Sequence, residues 1–524
     1  MSEQLLKMEN RIFDFLKTYG KYIIVELVIG LLVYFMLMAS NLVNDIDGLW
    51  HPSNFIAGDW EISLGRGLQR YADRARFGIV AESFNTILTL SLLAVANALV
   101  LSKFEKKSIF FKWILLIILV ANPVVCNSLT YSYMSVNFGL GYFFSVAAFV
   151  GTVFKKRDKK GIICMTCIGA LLLGISLSFY QAYIGVTCVL IILFAIKMIL
   201  EENSTRDVLK YLGISSVVVV LGGLIYLVFT KALLFRAGVE MATYKGASNS
   251  SPLVMLQNLP ISIKQSYLQF ANYFVKAKSL SDLEFINIAL CGLFTVYIVA
   301  ITIQFIRLCR NSFLHALLFL LLIALIPVAS CFVLLLAVGN VLTPIMSMGL
   351  VVGIVMLGVV IPTYDKIGFW MKRGYLLILI MFAWFQLSAV INDQLALKEG
   401  KTATITLAEN IISQLYEKDY LTDNRAVAFV GRPGNNHTFS QSIAYRTANE
   451  YAKFGLWSTE PRNNRVSWQG LISNFLGINI NYCGDLEYQK IISSDQVAVM
   501  PEFPQEGSIC VIGDVVVVKV SGIY

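Results

Sequence analysis

The chain has 524 residues, of which 57% are hydrophobic and 14% charged, with a formal net charge of +9. A soluble globular chain carries about 25% charged residues, so this composition, with a mean hydropathy of +0.69, excludes an ordinary soluble protein and points to a polytopic membrane protein. The basic excess does not indicate nucleic acid. Most lysines and arginines sit in short stretches beside hydrophobic runs, which is a topology signal.

Residues 1–21 are polar and basic (Lys7, Arg11, Lys17, Lys21) and lack the short apolar core and cleavage site of a secretory signal. The run 22–42 therefore reads as a retained first span. Further runs able to cross about 30 Å of hydrocarbon lie near 83–102, 113–127, 138–154, 161–179, 182–200, 211–231, 286–306, 313–338, 345–363 and 374–392, eleven in all with the first. With the N-terminus in the cytoplasm, the inner segments hold 21 Lys and Arg and the outer loops hold ten, the asymmetry expected of short loops. An odd number of spans places residues 393–524 outside.

The expected fold is mainly α: a transmembrane helix bundle over 22–392 with two long outer segments, 43–82 and 232–285. A small extracytoplasmic α/β domain follows over 393–524. In that domain Thr402–Tyr416, Ser440–Phe454 and Trp468–Phe475 read as helices and Ala426–Val430 as a strand. Cys510–Ile512 and Val515–Val520 read as strands joined at Gly513-Asp514, a two-residue hairpin signal.

The first outer segment opens with Asn44-Asp45-Ile46-Asp47-Gly48. This is turn chemistry, but carboxylates at a membrane boundary also suit proton transfer or a cation. A divalent cation such as Mg or Mn on Asp45 and Asp47 is compatible with the pair and not required by it, and no EF-hand pattern follows. Next, Trp60, Leu64, Leu68, Tyr71 and Ala75 share one helical face, and Arg66, Arg70, Asp73 and Arg74 the opposite one. That predicts an interfacial amphipathic helix. Its arginines could hold a phosphate-bearing headgroup or serve general attraction to anionic lipid. The second outer segment joins a polar stretch, 245–252, to an apolar helical piece, Leu256–Val275, that could close over a cavity.

Elsewhere the chemistry-bearing residues cluster at outer span ends: Asn122-Pro123, Tyr131-Ser132-Tyr133 and Tyr180-Gln181. Asn122 and Gln181 need a partner near the bilayer, either another helix or a substrate hydroxyl, while tyrosines there also suit an aromatic belt. His51, His315 and His437 form no ligand pattern. Cys164-x-x-Cys167 lies in an apolar helix without a second pair. Cys483 and Cys510, the two cysteines of the tail, could pair if it is outside. Asn436-His437-Thr438 matches a glycosylation sequon. There is no phosphate loop, dinucleotide fingerprint or nucleophile-elbow motif.

Four features taken together resemble a known family. They are the acidic pair after the first span, Trp60 with Gly65-Arg66, Asn122-Pro123, and Ser178-Phe179-Tyr180-Gln181. In this order they resemble the type II glucosyltransferases that modify O-antigen and cell-wall polysaccharides, of the polytopic glycosyltransferase C architecture. The resemblance covers about residues 20–395. It implies an inverting transfer of a hexosyl unit, of glucose or N-acetylglucosamine type, from a polyprenyl-phosphate donor to a cell-surface polysaccharide. The setting would be the outer face of a bacterial plasma membrane, with no cofactor required. It further implies Asp45 or Asp47 as the essential acid, Arg66, Arg70 and Arg74 at the donor phosphate, and Trp60, Asn122, Tyr131, Tyr180 and Gln181 at the sugars. Gly65-Arg66-Gly67 departs from the family pattern, in which an aromatic follows the arginine. The alternative is a transporter or flippase of lipid-linked sugars. It would show internal repeats and polar sites at mid-span. No repeat is visible, and Glu26 is the one acidic residue inside a predicted span.

Overall fold

In hydrocarbon every backbone N–H and C=O must be paired within its own segment, so apolar runs fold as helices. The computed structural model describes residues 2–44, 46–104, 109–153, 159–243, 252–275, 284–337, 342–362, 367–439, 441–449, 451–455, 457 and 461–522. Among these residues eight helices are long and apolar enough to cross a membrane: Glu82–Lys103, Ser135–Thr152, Lys159–Phe179, Gln181–Leu200, Thr205–Ala237, Asn287–Asn311, Phe313–Ser330 and Phe369–Glu417. A ninth exists if Phe110–Val120 and Pro123–Thr130, bent by 40°, form one broken span. Pro123 has no N–H to continue the first piece, and Asn122 caps the second by accepting the Val124 and Val125 N–H groups, both at 3.1 Å.

The chain is thus a multi-pass membrane protein; among the described residues eight or nine helices meet this length and composition, and not all of the eleven expected spans are found among them. The run at 345–363 supplies only the 13-residue helix Met348–Val360. The run at 22–42 is shared between Ser2–Val33, which contains the charged residues Lys17, Lys21 and Glu26, and Phe35–Ser40.

The helices approach closely where side chains are small, as membrane packing requires. A Cβ on Gly151 would stand 3.0 Å from the Gly169 Cα, and one on Gly185 2.7 Å from the Ser330 carbonyl. Glu26, fully buried, accepts from Asn97 Nδ2 at 2.5 Å, and Asn97 Oδ1 accepts the Tyr142 hydroxyl at 2.6 Å. These polar contacts join three helices.

The helix Phe369–Glu417 has 49 residues, about 74 Å at 1.5 Å per residue. It runs without a break through residue 393, where the sequence placed a domain boundary, and its last turns belong to the C-terminal domain. That domain holds a three-stranded sheet in the order β1-β3-β2: Ala426–Val430 (β1), Ile509–Ile512 (β2) and Val515–Lys519 (β3). β1 runs parallel to β3, Ala426 opposite Val515, and β2 antiparallel to it. The hairpin forms at Gly513, which takes the first turn position at φ +63°.

Alternation along the strands sends Val427, Phe429, Val516 and Val518 to one core with Trp468 and Leu471. Ala428, Val430, Val515 and Val517 go to another core with Tyr488 and Val497. The helix expected at Ser440–Phe454 shortens to Ile443–Thr447 among the described residues, and the one at Trp468–Phe475 is the end of Pro461–Gln469 plus a π-helical turn, Gly470–Phe475.

The Cys483–Cys510 pair left open for this domain does not form, and the sequon asparagine is buried. Cys483 and Cys510 are both free. Cys483 flanks β1 through its N–H bond to the Val427 carbonyl, whereas Cys510 lies on β2 at the far edge. Three strand spacings, about 14 Å, separate them, beyond the reach of a disulfide. Burial pushes the Cys483 thiol up to about 11. Asn436 of the sequon is buried, with its Nδ2 donating to the Phe503 and Val520 carbonyls, so its amide is not presented for modification.

Candidate functional site

The site begins where the helix Phe35–Ser40 stops. Asn41 enters the left-handed region at φ 46°, which ends the helix. The chain then makes one helical turn, Ile46–Trp50. A turn of this pitch sets Asp47 and His51 on one face, and the His51 N–H closes onto the Asp47 carbonyl at 2.9 Å. Asp45 lies outside the described residues.

Across from this turn, Tyr133 donates its hydroxyl to Asp47 Oδ2 at 3.0 Å. The rings of His51, Phe55 and Tyr133 meet at centroid distances of 4.7, 5.7 and 4.8 Å. Together with Asn54, Ile56, Gly58, Trp60 and Glu61 they line a cleft of about 490 Å³, the size of a small-molecule site. Asp47 is solvent-exposed and Trp60 stands 55% exposed beside it. Burial lowers the His51 imidazole below its ordinary value, against the opposing pull of Asp47. Glu61 braces the wall, its Oε2 accepting the Gly58 N–H at 2.6 Å.

A buried carboxylate ties the walls together. Asp73 is fully buried and accepts from the Ala57 N–H at 3.0 Å, Asn137 Nδ2 at 3.0 Å and Arg76 Nη2 at 2.6 Å. Arg76 continues to Asn85 Oδ1 at 2.9 Å, and Asn85 Nδ2 to the Ser132 carbonyl at 2.9 Å. The relay joins the wall at Ala57 to the wall at Tyr133. The three donors offset the cost of burying the charge.

This overturns the single amphipathic helix. The segment is two short helices, Asp59–Ser63 and Leu68–Ala75, broken at Gly65, where φ is +75°. Gln69 and Asp73 face inward, while Trp60, Tyr71 and Phe77 are exposed.

The three arginines go different ways. Arg66 lies over the Tyr180 ring, 4.9 Å from its centroid, with Nε buried and without a hydrogen bond. Arg70 is committed to the loop, donating to the Ala57 carbonyl at 2.9 Å and to Asp59 at 2.7 Å. Arg74 is exposed. None lines the cleft.

The break also accounts for Gly65-Arg66-Gly67. A Cβ at Gly65 would fall on the Tyr226 hydroxyl and one at Gly67 on Leu233, so the glycines let the turn press against helix Thr205–Ala237. Gln181 holds the same junction, donating to the Leu64 carbonyl at 2.7 Å and to the Tyr226 hydroxyl at 2.9 Å. Asn122 is consumed by its cap. Tyr131 packs against Tyr133 and Phe138. Of the residues expected at the site, the cleft therefore gathers Asp47 and Trp60, while Asn122, Tyr131, Tyr180 and Gln181 lie in the scaffold beside it. Among the described residues no three of His, Cys, Asp and Glu gather as a metal site.

The family model described as Glucosyl transferase GtrII matches residues 52–362, more than half of the chain. The chain belongs to this family. The match takes in one wall of the cleft from Pro52 to Glu61, the Asp73 relay and Tyr133, and it supports glycosyl transfer as the activity. No curated protein and no solved structure matches the chain significantly.

His51, the pairing of Tyr133 with Asp47 and the Asp73–Arg76–Asn85 relay are what sequence reasoning missed in this GtrII family member. The spacing of Asp47 and His51 is the one signal that could have shown the first of them.

Proposed function

We propose that this GtrII family member transfers a hexosyl unit, of glucose or N-acetylglucosamine type, from a polyprenyl-phosphate donor to a cell-surface polysaccharide. The transfer inverts the anomeric centre and takes place on the outer face of the plasma membrane, with the N-terminus inside and the C-terminal domain outside. The observation that supports this reading is Asp47. One of its oxygens is engaged by Tyr133, and it stands at the cleft beside an exposed tryptophan. An acceptor hydroxyl must lose its proton as it attacks the anomeric carbon, and a positioned carboxylate takes it as general base. Trp60 offers an apolar face to a sugar ring.

The leaving group is a lipid phosphate whose negative charge grows in the transition state, and nearby cations stabilise it. None of the three arginines lines the cleft; the exposed Arg74 is the one open to a headgroup phosphate, while Arg66 is held over Tyr180 and Arg70 shapes the loop. The exposed Tyr71, Phe77 and Ile79 would seat this loop at the headgroup level, where a polyprenyl donor presents its phosphate. Because such a donor is already activated on lipid, no nucleotide-binding motif is needed. A divalent cation at the acidic pair is compatible with the reading and not required by it.

The test uses Asp45→Asn and Asp47→Asn proteins in membranes supplied with lipid-linked donor. Both insert normally, and Asp47→Asn loses transfer. Full activity in Asp47→Asn would remove Asp47 as the base.

A further inference from the structure

The segment that carries Asp47 is built into the hydrophobic core of the C-terminal domain. Leu42, Val43 and Leu49 are fully buried and cluster with Ala396, Leu407, Phe429, Trp468 and Leu471 rather than with the membrane helices. Four hydrogen bonds fasten the same stretch. Asn44 Nδ2 donates to the Tyr451 carbonyl at 3.0 Å and the Gly455 N–H to the Val43 carbonyl at 3.2 Å. Trp50 Nε1 donates to the Val466 carbonyl at 3.2 Å, and Asn474 Nδ2 to the Trp50 carbonyl at 3.3 Å. Lys401 Nζ caps the preceding helix at the Ser40 carbonyl at 2.5 Å.

The approach is backbone to ring. A Cβ at Gly470 would stand 3.0 Å from Trp50 Cδ1 and 3.3 Å from Leu49 Cβ. Within the turn Ile46–Trp50, Leu49 and Trp50 face the domain while Asp47 faces Tyr133 and the cleft. The helix Phe369–Glu417 enters the domain without a break, so no linker lets the domain swing away.

We propose that the C-terminal domain is a working part of the transfer site, with Leu49 and Trp50 as positioning residues through which it sets the place of Asp47. This rests on Asp47 being the base. An attached domain with a separate task would be joined by a polar linker and would leave this turn to solvent. Here the turn is clamped between two bodies, Tyr133 on one side and the Gly470 backbone on the other. Small displacements of a catalytic group cost rate steeply, up to about 100-fold for about 1 Å.

The experiment compares Trp50→Ala, Trp50→Phe, Tyr488→Ala and Asp47→Asn in full-length protein reconstituted with a polyprenyl-phosphate hexose and acceptor. It reads kcat, KM for the donor, and thermal melting. Trp50→Ala should lower kcat by about 10- to 100-fold with donor KM within about twofold. Trp50→Phe, which keeps an aromatic ring and loses the N–H, should recover most of that loss. Tyr488 lies in the core on the other sheet face, its hydroxyl on the Phe429 carbonyl at 3.0 Å. Its alanine variant should melt earlier yet keep kcat.

Wild-type kcat in Trp50→Ala, or an equal fall in Tyr488→Ala, overturns the proposal. If Trp50→Ala does not fold, Leu49→Ala takes its place with the same expected fall, and a wild-type kcat in it overturns the proposal as well. Retained transfer in Asp47→Asn instead overturns the assignment of the base, so the two failures are told apart.

Discussion

Replacing Tyr133 by Phe isolates one contact of the cleft. The ring stays, with its packing on Phe55 and His51 at centroid distances of 4.8 and 5.7 Å, and only the hydroxyl that donates to Asp47 at 3.0 Å is lost. A hydrogen bond to a charged group contributes about 1.5–3 kcal/mol. Asp47 is exposed, so water replaces part of the donor and the lower end applies, about 1.5 kcal/mol. If the bond orients the carboxylate for proton abstraction, that loss falls on the transition state, about tenfold in rate. The assay is the initial rate of polyprenyl phosphate release in proteoliposomes with saturating acceptor. The variant should show kcat about tenfold down, with unchanged melting. A kcat equal to the parent's would refute the role given to the Tyr133–Asp47 bond.

Two further outcomes are expected. Gly65→Ala should melt well below the parent. The left-handed φ of +75° alone costs about 1–2 kcal/mol, and the new methyl group falls on the Tyr226 hydroxyl; equal melting would mean that the turn does not press on that helix. His51 has a folded value held below its ordinary one by burial. The stability tied to it is therefore fully present above about pH 6.5 and is lost as pH falls toward the lowered folded value. His51→Gln should lose less melting temperature than the parent between about pH 7 and about pH 5, and parallel slopes would contradict the lowering of the half-buried imidazole.

The helices were legible in the sequence because apolar runs in a membrane have one way to pair their backbones. β1 and the Gly513 hairpin were legible because strand and turn chemistry are local. What failed was non-local. The helix break at Gly65 is set by helix Thr205–Ala237, whose Tyr226 and Leu233 leave no room for a Cβ at Gly65 or Gly67. Asp73 looked like a solvated face residue because its donors, Ala57, Arg76 and Asn137, come together only in the fold. Asp47 stood out as half of an acidic pair, but its partner Tyr133 is 86 residues away, and no spacing rule links them. Asn122 and Gln181 were rightly seen to need partners, yet the partners are backbone carbonyls, the Tyr226 hydroxyl and a helix cap. The Cys483–Cys510 pairing failed because β3 lies between β1 and β2, an order that composition does not reveal.

The central claim is that this glucosyl transferase family member takes its sugar from a lipid phosphate. The direct measurement offers purified, reconstituted protein a polyprenyl-phosphate hexose and, separately, a nucleotide-linked hexose, each with acceptor polysaccharide and with or without chelator. The account predicts stoichiometric release of polyprenyl phosphate and labelled polymer from the lipid donor alone. Transfer from the nucleotide sugar, with the lipid donor left intact, would contradict it.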